Sequence, residues 1–198
     1  MAAPRIFHLL NRWLKAYGIR LSRADAKLLM RYTEVLSIPK GRVIMPQGKP
    51  VQDLFFINSG LVRLYSKVDG IDTTIDFVPE HEFASTIIFI LNQQPSVYAL
   101  DTLTDVTALH WSRETVLYLR ENVRCAAALE SVLQVRLLNW IQDRELDVLN
   151  LSPEERYQKL FQTAPKVVAQ APLKYVASYL GITQESLSRI RRKWAQRS

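Results

Sequence analysis

Between Val35 and Trp111 the chain runs as short apolar stretches cut by turn residues, and this alternation restricts its fold more than anything else in the sequence. The segments "VLSIPKGRVIMPQGKP", "LFFINSGLVRLYS", "KVDGIDTTIDFV" and "SVYALDTLTDVTALHW" are dominated by Ile, Val, Phe, Tyr and Thr. Gly41, Gly48, Gly60 and Gly70 fall where the chain has to reverse. Strands this short and this often reversed pair antiparallel. An antiparallel β domain is therefore expected over roughly residues 35 to 111. Within it, Phe83 to Leu91 of "PEHEFASTIIFILNQQP" fits a short helix or a buried strand equally well, because a brief apolar run carries no decisive period.

The flanks read differently. Residues 4 to 17 and 22 to 34 repeat apolar positions every three or four residues, and Ser22 in "SRAD" suits a helix N-cap. From Ser112 to Asn150 there is neither Pro nor Gly, so a long helical segment is expected, broken or bent near Asn122 to Cys125. Leu133, Leu137, Trp140 and Ile141 recur along it at helical spacing, between Arg136, Asp143, Arg144 and Asp147. They suit packing against the sheet or a helix–helix dimer seam, and the segment's length and apolar content favour the seam. "NLSPEER" starts another unit: Ser152 suits N-cap, Pro153 suits N1, and Glu154 and Glu155 meet the positive end of the helix dipole. A helix over 153 to 163 and a link "APKVVAQAP" follow.

Several function classes fall away at this stage. The only cysteine, Cys125, forms no internal disulfide and cannot alone hold an iron–sulfur cluster, and a reducing cytoplasm suits it. His8, His81 and His110 show no metal-ligand spacing. No apolar run approaches the roughly 18 residues of a membrane span, and the N-terminus lacks a secretory h-region. An enzyme is not expected: the histidines have no activating neighbours in sequence, and Ser59 in "NSG" reads as a turn residue.

Charge is concentrated at one end. Of the net +7, residues 151 to 198 supply nearly all, with nine Lys/Arg against three Asp/Glu. Such asymmetry points to a polyanionic partner for that segment. There, "LKYVASYLGITQESLSRIRRKWAQ" holds two short helical patterns around Gly181. Val176, Ala177 and Leu180 give the first an inner face; Ile182 plugs the corner; Leu187 and Ile190 give the second its inner face. Ala177 is small where the helices cross, Gly181 suits the left-handed conformation that ends a helix, and Thr183 suits the next N-cap. This is the helix-turn-helix pattern. With that register, Gln184, Glu185, Ser188, Arg189 and Arg192 face outward. Arg189 can pair with guanine O6/N7, Glu185 with cytosine N4, and Gln184 with a base or phosphate, while Thr183 and Ser188 can add hydroxyl contacts. Lys174, Arg191, Lys193 and Arg197 flank this face as phosphate partners. The competing reading is a helical hairpin with a solvated basic face.

Taken together, these features resemble the Crp/Fnr superfamily of bacterial transcription regulators over nearly all of residues 30 to 195. "IPKGRVIMPQGKPVQDLFFINSGLVRLYS" is similar to the turn-glycine spacing of that family's cyclic-nucleotide-binding-type β-roll. Glu185, Ser188 and Arg189 of "ITQESLSRIRRK" fall on its E-x-x-S-R recognition-helix motif. The resemblance implies an α+β chain with three parts: a jelly-roll-like antiparallel β-roll sensor domain with N-terminal helices over 1–111, a dimerisation helix over 112–150, and a helix-turn-helix DNA-binding domain over 151–198. It implies a cytoplasmic homodimer on palindromic double-stranded DNA, with RNA polymerase as a further partner and a small-molecule effector of unknown identity; neither a cofactor nor a membrane is implied. The alternative is a signalling module that binds a cyclic nucleotide or another small molecule and whose basic tail reads no DNA.

Two departures qualify the resemblance. The family's nucleotide-binding cassette carries a Gly-Glu pair and later an Arg followed by Ser or Thr, and "PEHEFASTIIFILNQQPSVYAL" has neither, leaving Glu80 and Glu82 as uncompensated negative charge. Control by a cyclic nucleotide is not expected. A β-hairpin wing after the recognition helix is not expected either, because few residues follow that helix in this sequence. Phe83, Phe89, Tyr98 and Trp111 are candidates for a small-molecule pocket, with core packing as their plainer role.

Overall fold

The computed structural model describes residues 3–85 and 87–195. Two helices, α1 (Ala3–Ala16) and α2 (Arg23–Arg31), precede eight strands: β1 (Glu34–Ile38), β2 (Val43–Met45), β3 (Asp53–Ser59), β4 (Val62–Val68), β5 (Ile71–Val78), β6 (Phe83–Ala84), β7 (Ala99–Thr102) and β8 (Val106–Ser112). A short helix, α3 (Ile87–Asn92), interrupts them. The strands form two four-stranded antiparallel sheets, ordered β1-β8-β3-β6 and β2-β7-β4-β5. Phe56, Ile57, Val62 and Ala108 of the sandwich are fully buried, and Leu10 and Leu14 of α1 belong to the same core.

Local chemistry sets the boundaries. Ser22 caps α2 by accepting from the Asp25 amide (3.0 Å), as its sequence position suggested. The helix stops at Arg31 rather than running to residue 34, because the following residues join the sheet. Glu34 pairs with His110, and Trp111 Nε1 donates to the Thr33 hydroxyl at 2.9 Å. The ambiguous run from Phe83 to Leu91 is both things in turn: two residues of strand against Phe55 and Phe56, then α3.

After the sheets come α4 (Arg113–Asn122), α5 (Ala126–Asn150), α6 (Pro153–Thr163), α7 (Pro165–Gln170), α8 (Leu173–Leu180) and α9 (Gln184–Ala195). The break expected near Asn122 to Cys125 lies between α4 and α5. Val123 there leaves helical geometry and buries its side chain in the sandwich core, and the buried Asp25 carboxylate accepts from the Arg124 amide (3.3 Å). Ser152 and Glu155 close a capping box on α6. The segment read as a link, "APKVVAQAP", contains α7, because Pro165 starts a helical turn and Val167 and Val168 are buried.

Helix α5 corrects the register expected of its apolar positions. Leu133, Leu137 and Trp140 turn inward and line a cavity against the β2-β7-β4-β5 sheet, with Ile141 at the margin. The outward stripe is instead Val135, Leu138, Leu146 and Leu149, each more than half exposed.

Candidate nucleic-acid interface

Helices α8 and α9 meet at a three-residue turn. Gly181 sits at φ 68°, ψ 34°, the left-handed conformation that ends α8, and its position is one where a side chain would be strained. Thr183 then accepts from the Ser186 amide (3.2 Å) and starts α9. Val176, Ala177, Leu180 and Leu187 are buried, with Ile182 and Ile190 packed at the edge of the same cluster. This inner register turns the other side of α9 outward. Gln184, Glu185, Arg189 and Arg192 are exposed there, and Ser188 is half-buried among them.

The outer side chains are partly ordered. An Arg189 Nη2 donates to the Ser186 hydroxyl at 3.1 Å, which holds the guanidinium along the helix. Glu185 is held below the usual carboxylate range, first by a backbone N–H at the helix start, then by the Thr183 hydroxyl and the Arg189 charge. Lys193 Nζ is tied to Glu154 of α6 (2.7 Å), so it is held at the flank of the unit. Lys174 lies apart, on α8, with its ammonium 4.6 Å from the centre of the Tyr175 ring. Arg191 is exposed, and Arg197 falls outside the described residues.

The C-terminal helices do not stand away from the sheets. Leu61, Phe77 and Leu103 of the β region belong to the same buried cluster as Tyr157, Leu160, Val176 and Leu187. Strand β5 is an edge strand, and its Thr74 amide donates to the Ser178 hydroxyl of α8 (2.9 Å), so the helix covers a backbone group that would otherwise invite another strand. On α5, Arg144 donates to the Tyr179 carbonyl (2.7 Å) and stacks on its ring.

The most heavily bonded group at this junction is Arg63 of β4, whose residue is 1% exposed. Its Nε and Nη2 donate to Asp101 (3.0 and 2.7 Å), and Nη1 and Nη2 donate to Asp72 (2.7 and 3.2 Å). The guanidinium carbon lies 4.1 Å from the Tyr65 ring centre and 3.6 Å from that of Tyr175 on α8. Burial alone would lower the pKa of this group, but Asp101 and Asp72 overcome it and raise it further. Nothing in the sequence marks Arg63. It alternates with Val62 and Leu64 like any outward strand residue, and Tyr175, the closer of its two covering rings, is more than a hundred residues away.

The sequence-selected pocket residues are dispersed. Phe83 and Trp111 line a small apolar cavity of about 80 Å³ beneath Leu10 and Leu14, Tyr98 packs at the sandwich core, and the Phe89 side chain lies outside the described residues. The acidic pair is not uncompensated: Lys166 pairs with Glu80, and Arg136 pairs with Glu82 at 2.6 Å. His110 also has neighbours that the sequence hid, Asp53 on Nε2 (2.7 Å) and Glu34 on Nδ1 (3.0 Å), because Glu34 sits opposite it on β1 and Asp53 lies diagonally from it on β3, two residues before its partner Phe55.

Residues 35–122 match the family "Cyclic nucleotide-binding domain". No curated protein matches the chain in sequence. Among solved structures, the chain resembles FixK2 from Bradyrhizobium japonicum with a TM-score of 0.72 at 17% identity, covering 83% of this chain and 85% of that one. It resembles the catabolite activator protein of Thermus thermophilus with a TM-score of 0.57 at 24% identity, covering 91% and 87%. It also resembles the c-di-GMP-responsive global regulator CLP of Xanthomonas campestris, with a TM-score of 0.68 at 14% identity, covering 88% and 92%. The fold is that of Crp/Fnr transcription regulators. The β sandwich, the long α5 and the C-terminal helices follow the Crp/Fnr order over most of the chain, as the resemblance in sequence implied.

Proposed function

We propose that the chain is a homodimeric, sequence-specific DNA-binding transcription regulator of the Crp/Fnr type, in which α8 and α9 form the helix-turn-helix and α9 reads the major groove. One observation carries this reading: α8 packs on the sheet and α9 packs on α8, which buries their inner sides while Gln184, Glu185, Arg189 and Arg192 stay exposed together on α9. The division into a sensor over 1–111, a dimerisation helix over 112–150 and a reader over 151–198 goes with this proposal, as does a cytoplasmic location.

The outward stripe of α5 supports the dimer. Val135, Leu138, Leu146 and Leu149 are 54%, 60%, 54% and 71% exposed on a helix of 25 residues, about 37 Å long. A second copy covering that stripe would set two reading helices against successive major grooves, about 34–36 Å apart. Cyclic nucleotide control is not part of the proposal, since the arginine nearest the acidic segment, Arg136, is already paired with Glu82.

The test is selection of bound duplexes from a random pool, followed by affinity measurements on the selected palindrome and on scrambled DNA. Arg189→Ala should lose about 1–3 kcal/mol on the palindrome and little on scrambled DNA. Equal loss on both would show that Arg189 reads no base.

A further inference from the structure

Helix α2 carries a stripe of unpaired positive charge. Arg23, Lys27 and Arg31 fall four residues apart on its outer side, about 6 Å from one to the next along the axis, and all three are exposed. None of them pairs with a carboxylate among the described residues. Residues 1–33 hold seven Lys/Arg against one acid, Asp25, whereas residues 34–150 hold ten against fifteen, so the stripe stands out from an otherwise acidic sandwich and α5. Asp25 does not offset it. Its carboxylate is buried and takes hydrogen bonds from the Ser22 hydroxyl (2.7 Å) and the Arg124 amide (3.3 Å). Glu34, just beyond the helix, is turned to His110. Like charges four residues apart destabilise a helix, so the stripe does not serve α2 itself.

The stripe ends at aromatic rings. The Arg31 guanidinium carbon lies 5.7 Å from the ring centre of Tyr32, and the Tyr32 ring lies 4.8 Å from that of Tyr118 on α4. Tyr118 is 41% exposed. About one helical turn to either side of it, α4 presents the exposed carboxylates of Glu114 and Glu121. The surface thus passes from cations through paired rings to acids.

We infer that this surface binds a single-stranded nucleic acid, with phosphates along Arg23, Lys27 and Arg31, a base on the Tyr118 ring, and the exposed base edges toward Glu114 and Glu121. Each part meets one part of a nucleotide strand. The cations hold the backbone, and an exposed ring stacks a base of any type. The carboxylates accept from base amino groups, which a duplex keeps paired and a single strand presents. A duplex or an anionic bilayer carries negative charge over its whole outer surface, so the two glutamates would repel it. The site packs on the sandwich core, whereas α8 and α9 pack on the second buried cluster, so it does not depend on what α9 reads.

The experiment follows fluorescence anisotropy of a short labelled RNA of mixed sequence on the full chain across a salt series, with the same sequence as a duplex and phosphatidylglycerol vesicles alongside. The single strand should bind more tightly than its duplex. The triple variant Arg23→Ala, Lys27→Ala, Arg31→Ala should lower the slope of log affinity against log salt by about 2, from about 0.7 per phosphate contact. Tyr118→Ala should weaken binding about tenfold, and Tyr118→Phe should keep it. Arg189→Ala should leave RNA affinity unchanged, with folding of each variant checked by thermal unfolding. Binding no tighter than to the duplex, an unchanged salt slope in the triple variant, or indifference to Tyr118→Ala would overturn the site. Loss of RNA binding in Arg189→Ala would move it to α9, and vesicle binding that replaces RNA binding would make the stripe a membrane contact; either result overturns the inference. Failure to select any DNA, with RNA binding intact, would count against the reader alone.

Discussion

Replacing Arg63 with Met should loosen the C-terminal unit from the sheet before anything else in the molecule. The substitution keeps the apolar stem but removes a guanidinium that makes two paired contacts to each of Asp101 and Asp72. Breaking a buried ion pair from one side costs about 3–5 kcal/mol. Here the lower end applies, since the Asp101 side chain is 16% exposed and that of Asp72 is 40% exposed, so water relieves part of the stranded charge. Tyr175→Leu removes only the ring stacked 3.6 Å from the guanidinium, a desolvated cation–π contact worth up to about 2 kcal/mol. The two changes share one interaction, so the double variant should cost about 1–2 kcal/mol less than the sum of the singles. Amide hydrogen exchange would read this locally, with protection falling across α8 and α9 while β3 and β8 keep theirs. If Tyr175→Leu costs the same with Met at position 63 as with Arg, or if protection falls uniformly, then Arg63 does not hold α8 in place.

Asp76 predicts a pH effect with a definite sign. Burial raises its folded-state pKa to about 6, so its favourable share of stability is complete below its unfolded value near 4 and is lost as pH rises through about 6. That difference amounts to about 3 kcal/mol, so Asp76→Asn should stabilise the protein at pH 8 by denaturant unfolding and gain little at pH 4; an unchanged pH slope would count against the burial argument. Leu138→Glu should convert a dimer to a monomer by sedimentation without lowering the melting temperature of the sandwich, and a dimer that survives would move the interface elsewhere. Gly181→Ala should cost about 1–2 kcal/mol for its left-handed backbone. Gly60→Ala should cost more, because an added Cβ would also run into the Asp105 carbonyl oxygen and the Val106 side chain; the reverse order by thermal unfolding would refute this comparison.

The parts legible in sequence are those whose signal is local. Ser22 and Ser152 announce helix starts because capping is settled within three residues, and Gly181 announces a turn because few side chains tolerate its φ. The strand-rich middle was readable for the same reason, through turn glycines and β-branched residues. What stayed hidden depended on the other end of a contact. Leu133, Leu137 and Trp140 are as apolar as Val135 and Leu138, and only the position of the sheet decides which set turns inward. Lys166 and Arg136 neutralise Glu80 and Glu82 from 86 and 54 residues away. The same distance problem hid the carboxylates around His110 and the tyrosine over Arg63.

The second buried cluster takes Leu61, Phe77 and Leu103 from the sandwich and the rest of its members from the helices that follow α5. A chimaera that grafts the last 48 residues onto the sandwich of another chain of this fold therefore needs more than a matched junction at residue 150. The recipient must offer apolar side chains at three separated strand and loop positions and an arginine for Tyr175 to cover. C-terminal helical units on this fold are interchangeable only between chains that share that small patch, so the patch, rather than the junction, limits which combinations of sandwich and helical unit can be built.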